Sequence, residues 1–166
     1  MSTKEKFIRK LEKSADRHDP YVWGGQGEKL RKLKVLTLVS MAQNLTALVS
    51  IITFIFKQVS AGVDMSLCKI FDCSGLMTYY LMYYKVLSSD TTAQGLYRLC
   101  LKKGSTKPIS DAKRGDLIFC GNAEDDINHV GCYLGDDILI EARGSKYGVV
   151  RSKLSERDFK YCGDIF

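Results

Sequence analysis

Proline, histidine and tryptophan are scarce in this sequence: it has two prolines, two histidines and one tryptophan among 166 residues. Because it also lacks any internal repeat of about 20–50 residues, a collagen-like chain and a repeat array are excluded. A composition of 45% hydrophobic and 27% charged residues excludes a disordered chain. Since a chain of this length can bury about two-thirds of its unfolded surface, we expect one globular domain over residues 1–166.

The amino terminus lacks an apolar run, because residues 1–13 are charged throughout. We therefore expect no signal peptide. Six cysteines are present, none of them in a C-x-x-C pair, and a chain of this size does not need disulfides to fold. The thiols are expected to be reduced and the protein to be made in a cytosol. Since only His18 and His129 could supply imidazole, we expect no metal and no cofactor.

The net charge is +6, from 25 Lys and Arg against 19 Asp and Glu. This excess favours anionic partners, which include nucleic acid, membrane surfaces and anionic wall polymers. The basic residues form no stripe with interleaved aromatic residues, so nucleic acid is the least favoured of the three.

An uncharged segment of 22 residues covers 35–56, which is long enough to span a bilayer. Seven of its residues are polar, and most recur every three or four positions, which is typical of an amphipathic helix. Gln43 and Asn44 indicate a break, with Asn44 capping a second helix that runs to about Ser60 and stops at Gly62. Two packed amphipathic helices are therefore predicted. A pair lying on a membrane and a true membrane span remain the alternatives.

The rest of the chain changes from helical to strand patterns along its length. Apolar spacing predicts a helix over residues 3–15 and a buried helix over 76–87. Thr91 or Thr92 caps another helix that ends near Lys103. The later part of the chain contains β-prone runs separated by glycine turns, which predict strands at 116–120, 129–134, 138–142 and 149–153.

Helices followed by an antiparallel meander predict an α+β fold in which the helices pack on one face of a small sheet. The helical stretch at about 29–69 is interpreted as an insertion between two parts of one site.

Cys73 is the first candidate for chemistry, because it lies at the predicted amino terminus of a helix with Asp72 as the cap. The helix dipole and the free N–H groups at such a position stabilise a thiolate, so a low thiol pKa is expected. The remaining cysteines fit helix and strand patterns and are interpreted as small buried residues: Cys68, Cys100, Cys120, Cys132 and Cys162.

His129 is the candidate partner of that thiol, since a cysteine nucleophile needs an imidazole to exchange a proton. It opens a predicted strand, whereas His18 lies in a loop. If residues 135–137 form a three-residue turn, Gly131 lies opposite Glu141. His129 and Glu141 then share one face of the sheet, one diagonal step apart, and Glu141 can orient the imidazole.

Four short motifs in order resemble the NlpC family of bacterial cell-wall cysteine peptidases. They are Tyr21–Gly25, Phe71–Gly75, Arg114–Phe119 and His129–Gly135. The resemblance covers most of the chain except the insertion, and it implies a papain-like NlpC-type domain. The stretch 140–144 is similar to phage-borne members in particular.

The resemblance implies that Cys73 is the nucleophile and His129 the base. Glu141 falls where the family places a third polar residue, more often His, Asn or Gln. The implied reaction is acyl transfer through a thioester. Its implied partner is the peptidoglycan stem peptide, commonly cut between D-glutamate and the diamino acid.

Substrate-side roles also follow from the resemblance. Tyr21 matches a tyrosine beside the thiolate, and Asp72 and Ser74 match positions that contact the stem peptide. Asp90 stands where a family stretch usually begins with Arg, so no substrate contact is assigned to it.

Two other functions remain open. One is a membrane-associated thiol acyltransferase or lipase, although related lipid-acting folds place His before Cys. The other is a non-catalytic wall-binding virion component, which the presence of Tyr21, Cys73 and His129 disfavours. For the enzyme, we expect action on the wall after release by a membrane-piercing partner, as a phage endolysin. Carriage in a virion and injection as an effector are the alternative routes.

Overall fold

A computed structural model describes residues 1–166 and shows a mixed α+β fold, as predicted. The helices are α1 (Thr3–Asp16), α2 (Val35–Met41), α3 (Leu45–Ser60), α4 (Cys73–Tyr83) and α5 (Ala93–Lys102). The strands are β1 (Gln26–Lys29), β2 (Lys69–Phe71), β3 (Thr106–Pro108), β4 (Leu117–Gly121), β5 (Ile127–Gly135), β6 (Ile138–Ala142), β7 (Val149–Lys153) and β8 (Tyr161–Gly163).

The main sheet has six antiparallel strands in the order β3-β8-β4-β5-β6-β7. The four strands predicted from the sequence are β4 to β7, and they form the expected meander. β3 and β8 were not predicted, because three residues are too short to show alternation. Their pairing adds an outer part to the sheet beside β4.

Helices α1, α4 and α5 cover one face of this sheet and share a core of 22 buried residues with it. α1 contributes Phe7, Ile8 and Leu11, all fully buried, at the helical spacing seen in the sequence. The opposite face of the sheet carries a smaller cluster that contains Ile118, Leu139, Phe159 and Cys162. The prediction that the helices lie on one face is confirmed.

The turn between β5 and β6 differs in detail from the prediction. Asp136 and Asp137 both have positive φ, at 51° and 63°. They therefore form a two-residue type I′ turn, whose twist matches that of the flanking strands. The register shifts between Tyr133 and Gly135, where one extra residue is accommodated as a bulge. Upstream of the bulge the register is the same as a three-residue turn would give, because the bulge supplies the third residue.

The segment 29–69, which was predicted to be an insertion, is closed at its base by a two-stranded sheet. β1 and β2 pair antiparallel, with Gln26 opposite Phe71 and Lys29 opposite Lys69. Between them the break predicted at residues 43–44 is present, and the Asn44 side chain caps α3 by accepting from the N–H of Ala47 at 2.9 Å.

The packing of these two helices is weaker than predicted. α2 has no buried residue, and α3 buries only Ile51 and Phe54. The alternative of one spanning helix over 35–56 is wrong, because the segment forms two helices. No helix in the chain combines the length and apolar character needed to cross a bilayer.

Candidate functional site

Cys73 is the first residue of α4, and its thiol lies against the start of β5. The Asp72 carboxylate caps the helix by accepting from the N–H of Gly75 at 2.7 Å. The Cys73 Sγ is 3.9 Å from the carbonyl oxygen of Asn128. The thiol therefore contacts the backbone of the residue that precedes His129.

The expected low pKa of the Cys73 thiol is wrong. Burial raises the pKa of the Cys73 thiol, and the negative charge of Asp72 raises it further, to about 11. The N–H groups of Val130, Ser74 and Cys73 itself oppose this rise, as a helix start predicts, but they do not outweigh it. A largely protonated thiol needs a base to remove its proton during attack on a substrate.

The predicted contact between His129 and Glu141 is present. The register of β5 and β6 pairs Cys132 with Ile140, which places His129 diagonal to Glu141 on one face of the sheet. The His129 Nε2 and the Glu141 Oε2 are 2.7 Å apart, and Glu141 is completely buried.

This contact fixes the imidazole tautomer. Burial alone would raise the pKa of Glu141, but hydrogen bonds to the carboxylate outweigh it and lower the pKa to about 2. An ionised carboxylate only accepts hydrogen bonds, so the proton of neutral His129 must sit on Nε2. Nδ1 then carries a free lone pair and makes no hydrogen bond within the chain. His129 is thus arranged as a proton acceptor.

Arg157 is a member of this cluster that sequence reasoning missed. Its Nε and one terminal nitrogen each donate to a different oxygen of Glu141, both at 2.9 Å. The guanidinium also lies 5.9 Å from the ring centre of Phe159, which is itself 5.8 Å from the His129 ring. Arg157 follows a short 3₁₀ turn in an irregular segment, so no periodicity linked it to β6.

The three predicted substrate-side residues lie around the start of α4. The backbone of Tyr21 forms an isolated parallel β-bridge with that of Phe71. Burial, together with the charges of Cys73 and Asp72, raises the pKa of the Tyr21 phenol. The Asp72 carboxylate also accepts from the N–H of Gly24 at 3.0 Å and from the Ser74 hydroxyl at 3.2 Å. Asp72 therefore holds the Gly24 turn against the helix, and contact of these residues with a substrate stays a prediction.

Replacing Asp72 with asparagine is expected to lower the pKa of the Cys73 thiol. The amide oxygen can still accept from the N–H of Gly75, while the negative charge that disfavours the thiolate is removed. The measurement is the rate of alkylation of Cys73 by iodoacetamide against pH, located by peptide mass spectrometry. Asp136→Asn, at an exposed turn position, is the matched control and should leave the midpoint unchanged. If the midpoint pH of alkylation stays the same or rises in Asp72→Asn, the charge of Asp72 does not raise the pKa of the Cys73 thiol.

The chain's other titratable groups do not form a second site of this kind. No three His, Cys, Asp or Glu side chains are grouped so that they could hold a metal ion. All six cysteines are free, and His18 lies exposed at a turn with a φ of 56°.

Comparison with known proteins places this site in a family context. The NlpC/P60 family model matches residues 18–162. The probable endopeptidase YafL of Escherichia coli is 34% identical over 89 residues, and the peptidoglycan endopeptidase RipB of Mycobacterium tuberculosis is 38% identical over 87 residues. Each match covers 52% of this chain but 34% and 33% of the relative, so the chain spans about a third of their length.

Solved structures share the fold at lower identity. RipB superimposes with a TM-score of 0.63 at 24% identity, over 99% of this chain and 65% of that one. RipD of M. tuberculosis, described as a non-catalytic NlpC/p60 domain protein adapted to peptidoglycan binding, gives 0.61 at 18% identity, over 100% and 99%.

A third protein, RipA, has been solved with mutations at a cysteine, a histidine and a glutamate, the last two twelve positions apart. These structures give TM-scores of 0.61 and 0.62 at 21–22% identity, over 97–98% of this chain and 61–62% of that one.

Proposed function

The chain belongs to the NlpC/P60 family, and we propose that it is a cysteine hydrolase that cleaves an amide bond in the stem peptide of peptidoglycan. The observation that carries the proposal is the pairing of His129 with a buried, ionised Glu141, on the strand whose backbone the Cys73 thiol contacts at Asn128. This arrangement supplies a nucleophile, a base with a free ring nitrogen and a group that orients the base.

The relatives support the choice of substrate and of residues. Two curated relatives are named as endopeptidases, and one of them as a peptidoglycan endopeptidase. The residue types mutated in RipA are those of Cys73, His129 and Glu141, and the twelve-residue spacing of its histidine and glutamate equals that of His129 and Glu141.

In the proposed reaction, His129 Nδ1 takes the thiol proton as Sγ of Cys73 attacks the carbonyl carbon. The first N–H groups of α4 have no partner within the helix, so those of Cys73 and Ser74 can stabilise the developing oxyanion. The imidazolium then gives its proton to the leaving amine as the carbon–nitrogen bond breaks. Water, deprotonated by His129, hydrolyses the thioester and restores the thiol.

The bond proposed is the one between D-glutamate and the diamino acid, with Tyr21, Asp72 and Ser74 contacting the stem peptide. A synthetic stem peptide and a second peptide with L-glutamate in place of D-glutamate test this, with products identified by mass spectrometry. Cleavage of the first peptide alone, at that bond, is expected. Cleavage elsewhere would overturn the specificity. Binding of the peptide without cleavage would overturn the enzyme and favour a wall-binding role like that described for RipD.

We also propose that the enzyme acts as a phage endolysin. What supports this is the similarity of residues 140–144 to phage-borne members. Expression in a bacterial cytosol should cause lysis only when a pore-forming protein is co-expressed. Lysis that does not depend on the pore would contradict this route.

A further inference from the structure

Helix α3 carries a second apolar face that nothing in the chain covers. Steps of four and three residues place five exposed apolar side chains along one side of the helix. The exposed fractions of Leu45 and Phe56 are 75% and 68%. Ile51 and Phe54, the buried residues of α3, lie on another side. We name the exposed row the α3 stripe, and its members are Leu45, Val49, Ile52, Phe56 and Val59.

Residues 29–63, the part of the insertion that carries the α3 stripe, have charges of one sign only. Between Glu28 and Asp64 there is no acidic residue. The five basic residues in this stretch are all exposed, and none takes part in an ion pair. The segment therefore combines a positive charge of five with uncovered apolar surface. These basic residues are Lys29, Arg31, Lys32, Lys34 and Lys57.

We propose that the insertion docks on the surface of an anionic lipid bilayer, with α3 lying in the plane of the interface. Apolar side chains on one side of such a helix enter the boundary between headgroups and acyl chains, while lysines and arginines bind anionic headgroups. Exposed Val35 and Leu36 of α2 add apolar surface to the same segment. This mode of binding requires no helix to cross the membrane, and it is independent of the proposed reaction.

Charge complementarity selects lipid over a second copy of the chain. Two copies that met through the α3 stripe would bring together two segments that each carry five basic residues and, over 29–63, no acidic residue. An anionic bilayer neutralises the same charges, each contributing about 1 kcal/mol, or roughly fivefold in affinity, near the surface.

Sedimentation with vesicles tests the proposal on the full chain, with no need for turnover. One set of vesicles is pure phosphatidylcholine, and the other is an equal mixture with phosphatidylglycerol. We expect binding to the mixed vesicles, weakened by added salt. The apolar variant Ile52→Ser with Phe56→Ser should lose binding at least about tenfold. Replacing Lys29, Arg31, Lys32 and Lys34 with glutamine should weaken it on the order of 10³-fold.

Matched controls separate the insertion from the protein's general charge and apolar surface. Tyr83→Ser with Leu101→Ser removes apolar side chains of similar exposure outside the insertion. Replacing Lys6, Arg9, Lys13 and Lys102 with glutamine removes the same charge from exposed positions on α1 and α5. Both controls should bind as wild type does. Absence of binding to the mixed vesicles, or equal losses in the controls, would overturn the proposal. Self-association in ultracentrifugation that Phe56→Ser abolishes would replace lipid with a second copy.

Discussion

Replacing His129 with alanine is expected to lower turnover of a stem-peptide substrate by about 10²–10⁴-fold, the contribution of a positioned base. The effect is large because burial holds the pKa of the Cys73 thiol near 11, so the nucleophile depends on a base at neutral pH. The residual activity of His129→Ala should rise as the pH approaches that value, since the thiolate then forms without help. The measurement is kcat against pH for both proteins.

The other histidine gives the matched control for this experiment. His18→Ala should retain wild-type turnover, because His18 is exposed and belongs to no part of the cluster. The unfolding temperature of His129→Ala should stay close to wild type, since Glu141 keeps both bonds from Arg157. Turnover within tenfold of wild type in His129→Ala would show that another group removes the thiol proton.

Replacing Glu141 with glutamine is expected to cost about 3–5 kcal/mol of the free energy of unfolding, the usual cost of breaking a buried ion pair. Glu141 is completely buried, and Arg157 donates to both of its oxygens, so the substitution leaves the guanidinium without a counter-charge. Turnover should also fall, but by less than in His129→Ala, because the amide oxygen can still orient the ring. Denaturant unfolding and peptide turnover measure the two effects.

The lowered pKa of Glu141 also predicts that the free energy of unfolding depends on pH. Hydrogen bonds lower the pKa of Glu141 to about 2, from 4.5 for an ordinary glutamate. The folded state therefore gains stability above about pH 4.5 and loses it as the pH falls toward 2, where protonation removes the charge. This part of the acid destabilisation should be absent from Glu141→Gln.

A surface carboxylate separates this effect from general acid unfolding. Glu156 forms an exposed pair with Lys153 at 3.8 Å, which is worth less than about 1 kcal/mol. Glu156→Gln should therefore change neither the free energy of unfolding at neutral pH nor its decrease at acid pH. Equal effects of the two substitutions would contradict the assignment of a buried, ionised Glu141.

The sequence predicted the parts of the fold that local patterns control. Apolar spacing located α1, the cap at Asn44 located the start of α3, and the choice of Thr91 or Thr92 located the start of α5 to within one residue. β-prone runs between glycine turns located β4 to β7, and the register argument brought His129 to Glu141. In each case the signal lies within a few residues of the structure that it specifies.

The rest of the site depends on contacts between distant segments. Arg157 reaches Glu141 from an irregular segment, so no spacing rule could connect them. The pKa of Cys73 was predicted in the wrong direction, because the helix start is visible in the sequence while the burial of the thiol is a property of the folded chain. The exposure of the α3 stripe was missed for the same reason, since its pattern is equally typical of a core-facing helix.

Mass spectrometry of purified peptidoglycan digested in parallel by wild type, Cys73→Ser and Cys120→Ser tests the central claim most directly. Cys120 is the other partly exposed thiol and is paired with His129 across β4 and β5, so its variant tests the second thiol near the base. We predict new stem-peptide fragments with wild type and Cys120→Ser and none with Cys73→Ser. Fragments from Cys73→Ser would contradict the thiol mechanism, and no fragments from wild type would contradict the enzyme itself.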